Sequence, residues 1–428
     1  MRVFFHTLGC KVNRYETEKM LEQLSSIGFV LTNDAKSADL IVVNSCTVTA
    51  ESDRKTRQLT RRYKRQNENA ALLLTGCMPQ AFPNDAQKLP ADIILGNSSD
   101  RDIVSAVRDY FKNKNRLINV FPHQKSEVFE TGVLENFSER TRAYMKIEDG
   151  CDRGCTYCII PKARGRVRSR SLEDIKAEAE NLAKKGFCEI VLVGINLSSF
   201  GKDSPLSLAD AVKTVASVSG IERVRLGSLE PDLTDDTLLA NLKEIKEFCP
   251  QFHLSLQSGS DATLKRMNRL YTADEYYKLT QKIKSIWHNA SITTDIMVGF
   301  IGESDEEFNE SLEFAKKVGF LKAHIFPYSV REGTFAANMD VKQRVAEDVK
   351  NRRASIMAEE CDKASIKLLD SLKGERRSVL FERFDGALSH GYSEDYIPVY
   401  VENENLSGEI KTVEILGSFS DGVKAKIV

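Results

Sequence analysis

The apolar positions of this chain change their rhythm twice. In the first third, short apolar runs at 3–8, 39–44, 71–75 and 92–95 read as strands. Between them, helical periods cover 15–26, a charged stretch at 52–66, and a segment starting near Ser99. Strands that alternate with helices build a parallel sheet covered on both faces, so residues 1–125 are expected to form a doubly wound α/β domain. Residues 126–138 are polar, carry no apolar period and read as a linker. Alternation resumes over 139–365, with strands expected at 143–147, 189–193, 223–226, 253–256, 294–298 and 323–326. Helices at 172–184, 273–286 and 305–318 lie between them. Six β/α units are too few for a closed eight-fold barrel and fit an open, partial (β/α)6 barrel. An ordinary doubly wound sheet is the alternative. From about 371 to 428 the signals are β only: runs at 378–381, 396–401, 409–415 and 423–428, punctuated by glycines, predict a small β-barrel.

A chain of 428 residues supports two or three cores of this kind. Its net charge of −1 gives no global pull toward nucleic acid or membrane, so a polyanion site must be a local basic surface. Two such surfaces stand out. The 52–66 helix carries Arg54, Lys55, Arg57, Arg61, Arg62, Lys64 and Arg65, a solvated face or a phosphate-contacting one. Lys162, Arg164, Arg166, Arg168 and Arg170 alternate and would share one face of an extended segment, which favours anion binding. The sequence has no apolar run of membrane-spanning length and its N-terminus lacks a signal-peptide pattern, so a cytoplasmic location is expected.

In that reducing setting nine cysteines are better read as ligands and buried thiols than as disulfides. Cys151, Cys155 and Cys158 lie in one eight-residue loop after the first strand of the second region. Three thiolates on a four-iron cube leave one iron open for a ligand; a structural zinc site would want a fourth protein donor. Cys10, Cys46 and Cys77 each follow a strand of the first region. The carboxyl ends of a parallel sheet share one edge, so these three distant residues converge there or, failing that, are separate buried thiols. No GxGxxG follows any of these strands, which gives a dinucleotide site no support. Cys188, Cys249 and Cys361 have no partner at ligand spacing and read as structural. Asn196, Glu230 and Gln257, with Gly302-Glu303, stand at later strand ends, where polar groups meet a ligand or simply shape turns.

The Cys151–Cys158 loop resembles the CxxxCxxC signature of the radical S-adenosylmethionine (SAM) superfamily. The wider chain is similar to its methylthiotransferase family through Leu8-Gly9-Cys10-Lys11-Val12-Asn13-Arg14-Tyr15-Glu16, Asn44-Ser45-Cys46-Thr47-Val48-Thr49, Thr75-Gly76-Cys77, Leu256-Gln257-Ser258-Gly259, Arg266-Met267-Asn268-Arg269 and Phe326-Pro327-Tyr328-Ser329. Residues 8–13 of the first and the whole of the last, with Ile159-Ile160-Pro161 and 163–168, are most similar to the MtaB type. The sequence departs from the usual pattern at Lys162, Ser260 and Met78-Pro79, none of which removes a ligand.

The resemblance implies two 4Fe–4S clusters, a radical SAM barrel and a C-terminal TRAM domain that binds tRNA. It places SAM on the Cys151/Cys155/Cys158 cluster, with Tyr157 near the adenine and Asn196, Glu230 and Gln257 as further cofactor contacts. It places an auxiliary cluster on Cys10, Cys46 and Cys77. One SAM would methylate a sulfur held there, and a second would give the radical that takes a hydrogen from C2 of N6-threonylcarbamoyladenosine, next to the anticodon. No catalytic side chain beyond the clusters and SAM is implied. An electron donor such as a flavodoxin or ferredoxin, and a monomeric state, complete the expectation. Competing expectations are isopentenyladenosine or a ribosomal protein side chain as substrate, and an iron–sulfur RNA-binding regulator without catalysis.

Overall fold

The computed structural model describes residues 1–98, 102–130, 132–134, 141–402 and 404–428. The N-terminal strands β1 (Arg2–Thr7), β2 (Val30–Leu31), β3 (Leu40–Ser45), β4 (Ala71–Gly76), β5 (Ile93–Leu95) and β6 (Leu117–Asn119) form one parallel sheet in the order β2-β1-β3-β4-β5-β6. Successive residues of β3 and β4 point to opposite faces. Leu40, Val42 and Leu73 therefore pack with Met20, Leu24 and Val107 on one side. Ile41, Val43, Leu72 and Leu74 pack with Tyr63 on the other. The strand order reverses between β1 and β3, the place where doubly wound folds generally bind ligands at the carboxyl edge.

The central region contributes β7 (Arg142–Lys146), the short antiparallel pair β8 (Glu148–Asp149) and β9 (Arg168–Ser169), then β10 (Glu189–Val193), β11 (Arg223–Leu226), β12 (Ser228–Leu229), β13 (Gln251–Leu254), β14 (Ser291–Val298) and β15 (Lys322–Pro327). Parallel pairing runs β7-β10-β11 and β12-β13-β14-β15, with Gly227 between β11 and β12. The result is a curved row of six strand positions in sequence order. β7 and β15 at its two ends do not pair, so the barrel is open, as the count of β/α units predicts.

The N-terminal sheet covers that opening. Val12 and Tyr15, from the helix Lys11–Ser25, belong to the central core, and Tyr15 donates to Glu178 at 3.0 Å. At the other edge Ala50 N donates to Ser329 Oγ at 3.0 Å, and Arg331 pairs with Asp53 at 2.5 Å. The stretch between the two regions is not the loose linker its polarity predicts. Its Leu134 is fully buried in the central core, and Glu127 is held by His123 and Arg168. Residues 131 and 135–138 of the expected linker, residues 139–140 at the expected start of the second region, and Ser99 at the expected helix start lie outside the described residues.

Strands β16 (Arg376–Phe384), β17 (Leu388–Ser393), β18 (Pro398–Glu402), β19 (Ile410–Phe419) and β20 (Gly422–Ile427) close into a barrel in the order β16-β17-β18-β20-β19. The helix Glu347–Ser371 joins it to the centre, placing Met357 and Cys361 in the central core and Leu369 in the small one. The small barrel docks under the amino ends of the central strands. There Arg223 donates to Ser378 Oγ at 2.7 Å, Arg225 to Ser393 O at 3.1 Å, and Arg142 pairs with Glu382 at 2.6 Å.

Candidate active site between two cysteine triads

Cys10, Cys46 and Cys77 follow β1, β3 and β4, three adjacent strands, and do meet at one edge. Leu8 N donates to Asn44 O at 2.8 Å, which ties the first two loops together. Gly9 makes the approach possible: a β-carbon there would stand 2.8 Å from Cys46 Cβ and 3.2 Å from its sulfur. Gly76, at φ +95°, has Asn44 Oδ1 and Ser45 O at 2.5 Å from where a β-carbon would be. Asn13 laces the edge, donating to Leu8 O at 2.8 Å and Ser45 O at 2.9 Å. Cys10 is exposed, whereas Cys46 and Cys77 are buried. Burial pushes the Cys77 thiol up to about 12, opposed by the nearby Arg164.

The second triad sits at the carboxyl end of the central strands. Gly150 starts the turn at φ +89°, with Arg166 O only 1.9 Å from where a β-carbon would be. Cys151 N then donates to Gly165 O at 3.0 Å and Thr156 N to Met267 O at 3.1 Å, and Asn268 Nδ2 donates to Gly154 O at 2.9 Å. Each sulfur has an N–H beside it: Asn196 Nδ2 at 3.6 Å from Cys151, Arg269 Nη1 at 3.3 Å from Cys155, and Ile160 N at 3.4 Å from Cys158. Burial pushes Cys151 up to about 11 and Cys158 to about 12. These thiols hold their protons at neutral pH until a metal displaces them. Among the described residues no three His, Cys, Asp or Glu donors are gathered as for a single ion. A four-iron cube takes one thiolate per iron, so its ligands stand wider apart than that.

The two triads are one side-chain layer apart. Ile159, the residue after Cys158, packs with Cys77 and Ala81. Arg164, fully buried, donates Nε to Cys77 Sγ at 3.2 Å, Nη1 to Glu16 at 2.5 Å and Nη2 to Asn13 at 2.8 Å. Lys146 continues this buried lattice between Glu16 at 2.8 Å and Asp149 at 2.5 Å.

Of the other expected residues, Asn196 is buried beside Cys151, with its Oδ1 unpartnered and its N–H on Glu148 at 2.7 Å. Glu230 is gripped by Arg269 and faces Arg153 at 3.7 Å. Gln257 bridges to β14 in a left-handed conformation, φ +66°, an uncommon backbone for a non-glycine residue and one that clusters at ligand sites. Tyr157 packs edge-on to Phe300 at 6.1 Å, within the cluster of Met267, Ile301 and Tyr328. Cys249 and Cys361 are buried and Cys188 is half-buried, away from both triads.

The alternating basic face of 162–170 is not a surface. The short helix Ile160–Arg164 and β9 turn Arg164, Arg168 and Arg170 inward onto Glu16, Glu127, Asp149 and Glu178, and only Lys162 and Arg166 face solvent. The 50–66 helix does present its basic side outward. Lys55, Arg61, Arg62 and Arg65 line a groove of about 710 Å³ with His6 and Leu8. A second cavity, about 640 Å³, runs from Cys10 and Lys11 along the inner face of β13–β15 to Tyr392 and Tyr396 of the small barrel.

The Radical SAM superfamily profile matches residues 145–315, and that of Uncharacterized protein family UPF0004 matches 2–96. The chain is 40% identical over 427 residues to a threonylcarbamoyladenosine tRNA methylthiotransferase MtaB of Thermotoga maritima, covering 98% of this chain and 96% of that one. A protein of the same name from Bacillus subtilis is 34% identical over 438 residues, covering 100% and 97%. The chain belongs to the MtaB-type methylthiotransferases of the radical SAM superfamily. Among solved structures, the radical SAM methyltransferase TsrM of Kitasatospora setae superposes with a TM-score of 0.57 at 12% identity, covering 76% of this chain and 72% of that one, a likeness of fold.

In this methylthiotransferase several site residues carry no signal that sequence reasoning could use. Arg153 reads as loop filler in the cysteine motif, yet it holds Asp232 through two bonds of 2.7 Å. Asn97 lies twenty residues beyond Cys77, whose sulfur it donates to, and Glu16 is near Cys10 in sequence, but nothing there marks it as the acceptor for Arg164. Asn13 and Arg269 stand inside motifs singled out above, but nothing in the spacing marks them as sulfur-side groups.

Proposed function

We propose that this methylthiotransferase adds a methylthio group to C2 of N6-threonylcarbamoyladenosine, next to the anticodon of tRNA. In this reading Cys151, Cys155 and Cys158 hold the 4Fe–4S cluster that binds SAM, and Cys10, Cys46 and Cys77 hold the auxiliary cluster. The observation that carries it is the packing of the two thiol loops against each other, Ile159 on Cys77 and Arg164 on the Cys77 sulfur. Two separate metal functions would not need a shared wall; one substrate worked on by both does. When bound, the clusters and SAM supply the radical chemistry that an unactivated aromatic C–H requires.

The chain's own residues aim and insulate. Asn196, Arg269 and the Ile160 amide donate toward the Cys151, Cys155 and Cys158 sulfurs, the kind of contact that tunes a cluster's potential. Arg164 does so for Cys77, and its buried partners fix the distance between the two regions. Asn196, Glu230, Gln257 and Tyr157 border the face where SAM would lie. Residues 1–125, 139–365 and 371–428 act as auxiliary-cluster, radical SAM and TRAM domains. The enzyme works in the cytoplasm as a monomer, reduced by a donor such as a flavodoxin or ferredoxin.

Mass spectrometry of tRNA nucleosides from cells with and without the protein tests the reading. Loss of the methylthio derivative, with build-up of threonylcarbamoyladenosine, is expected. Loss of methylthio-isopentenyladenosine instead, or unchanged tRNA, would overturn it.

A further inference from the structure

The 640 Å³ cavity contains two ammonium groups without a carboxylate partner among the described residues, Lys11 and Lys322. Most of the other charges around it are paired, while Asp421 on its wall is met by a neutral hydroxyl. Arg142 and Arg225 share the buried Glu189, and Arg142 also pairs with Glu382. His253 faces Asp295 at 3.4 Å, and Asp421 accepts from Tyr400. Lys11 follows Cys10 directly, and its ammonium stands over the rings of Tyr144 at 5.9 Å and Tyr396 at 6.0 Å. Lys322, on β15, lines the same cavity beside His324.

We propose that Lys11, with Lys322, binds the carboxylate of the substrate's threonylcarbamoyl group and so selects this adenosine over one with an apolar N6 substituent. The proposal rests on the substrate reading given above. In threonylcarbamoyladenosine the carbamoyl carbon joins the adenine N6 to the threonine nitrogen, which leaves the threonine carboxylate free and charged. A carboxylate taken into a cavity needs a cation to replace its water. An isopentenyl group offers nothing to an ammonium, so the same pocket would hold an unpaired lysine against it, and sites built to bind a polar group reject analogues that lack it. The placement fits the reaction. C2 and C6 are the two carbons bonded to N1 of adenine, so a base that turns C2 toward the Cys10 edge carries its N6 substituent along the same side. Lys11, directly after Cys10, lies on that side of the cavity.

An RNA backbone phosphate is the other anion that could meet Lys11, and the test separates the two. Full-length protein with both clusters reconstituted is titrated with fluorescent anticodon stem-loops carrying threonylcarbamoyladenosine, its carboxamide counterpart, or adenosine. Wild type is expected to bind the acid more tightly than the amide by about tenfold or more. Lys11→Met removes most of that preference by weakening the acid alone. Lys322→Met lowers it by a smaller factor, and reads the same question should Lys11→Met fail to fold. An equal loss for acid and amide would assign the lysines to phosphate, and an unchanged preference would assign them to neither; both overturn the proposal. If wild type shows no preference and forms no methylthio product on the acid stem-loop, the substrate reading falls with it. A wild type that forms that product while its lysine variants keep the preference sinks this inference alone.

Discussion

Single residues decide how closely the two triads can be brought together. Gly76 and Gly28 both have positive φ, but Gly28 has open space where a β-carbon would go, whereas Gly76 has backbone and side chain at 2.5 Å. Gly28→Ala is therefore expected to cost only the left-handed backbone term, about 1–2 kcal/mol. Gly76→Ala should cost more and displace the Cys46 and Cys77 loops; chemical denaturation of the two variants measures the difference, and equal stabilities would argue against the close packing described. The thiols outside the triads make a second residue-scale test. Burial pushes Cys249 and Cys361 up to about 11. At pH 8 their thiolate fraction is on the order of one in a thousand. Native protein should leave both unalkylated by iodoacetamide at that pH, with reaction growing as pH rises; rapid labelling at pH 8 would contradict their structural role. The gathering of Cys10, Cys46 and Cys77 was legible because each follows an apolar run at a strand end, and that of Cys151, Cys155 and Cys158 because one short loop carries all three. The arginines of 164–170 were not, because alternation tells which side chains share a face and not what covers it. Their carboxylates, Glu16, Glu127 and Glu178, come from segments that no local pattern links to them.

At the scale of elements, the six central strands stood out in the sequence because buried parallel strands are apolar throughout or flanked by glycine and helix caps. β17 did not: Leu-Ser-His-Gly-Tyr-Ser has little β-branched character. Its Gly391 lets the β16 backbone approach, with Leu380 O 2.4 Å from where a β-carbon would be. The docking of the small barrel was also hidden, since its arginines come from distant strands and are gathered by one carboxylate. Glu189 is fully buried and holds Arg225 at 3.0 Å, Arg223 at 3.6 Å and Arg142 at 3.8 Å. Burial alone would raise its pKa, but the Arg225 and Arg142 guanidinia outweigh burial and hold it below the ordinary carboxylate value. A depressed carboxylate contributes stability that is present above its unfolded pKa and is lost as pH falls through the folded one. Wild-type thermal stability should thus drop as pH is lowered past about 4. Glu189→Gln should lower stability at pH 7 by about 3–5 kcal/mol, because it leaves buried arginines unpaired. Melting curves across pH check this. A variant as stable as wild type at pH 7 would contradict the picture of Glu189 as the hub of this interface.

The whole molecule is held by contacts that no local pattern announces. The N-terminal sheet bridges both free edges of the open barrel, through Tyr15 on Glu178 at one and Arg331 on Asp53 at the other. The small barrel covers the opposite end, and its Tyr392 and Tyr396 stack on each other at 4.7 Å beneath Arg142. Deleting residues from 371 onward would therefore uncover Arg142, Arg223 and Arg225 as well as remove a candidate RNA surface, and the truncated protein is expected to melt lower than the full chain. What remains at this scale is whether the two triads do separate work on one substrate. Reconstituted protein in which Cys10, Cys46 and Cys77 are all replaced by alanine, given SAM, reductant and a threonylcarbamoylated stem-loop, answers it most directly. The account predicts about half the iron of wild type, continued cleavage of SAM to 5′-deoxyadenosine, and no methylthio product. Full iron content, or methylthio product formed at the wild-type rate, would contradict it.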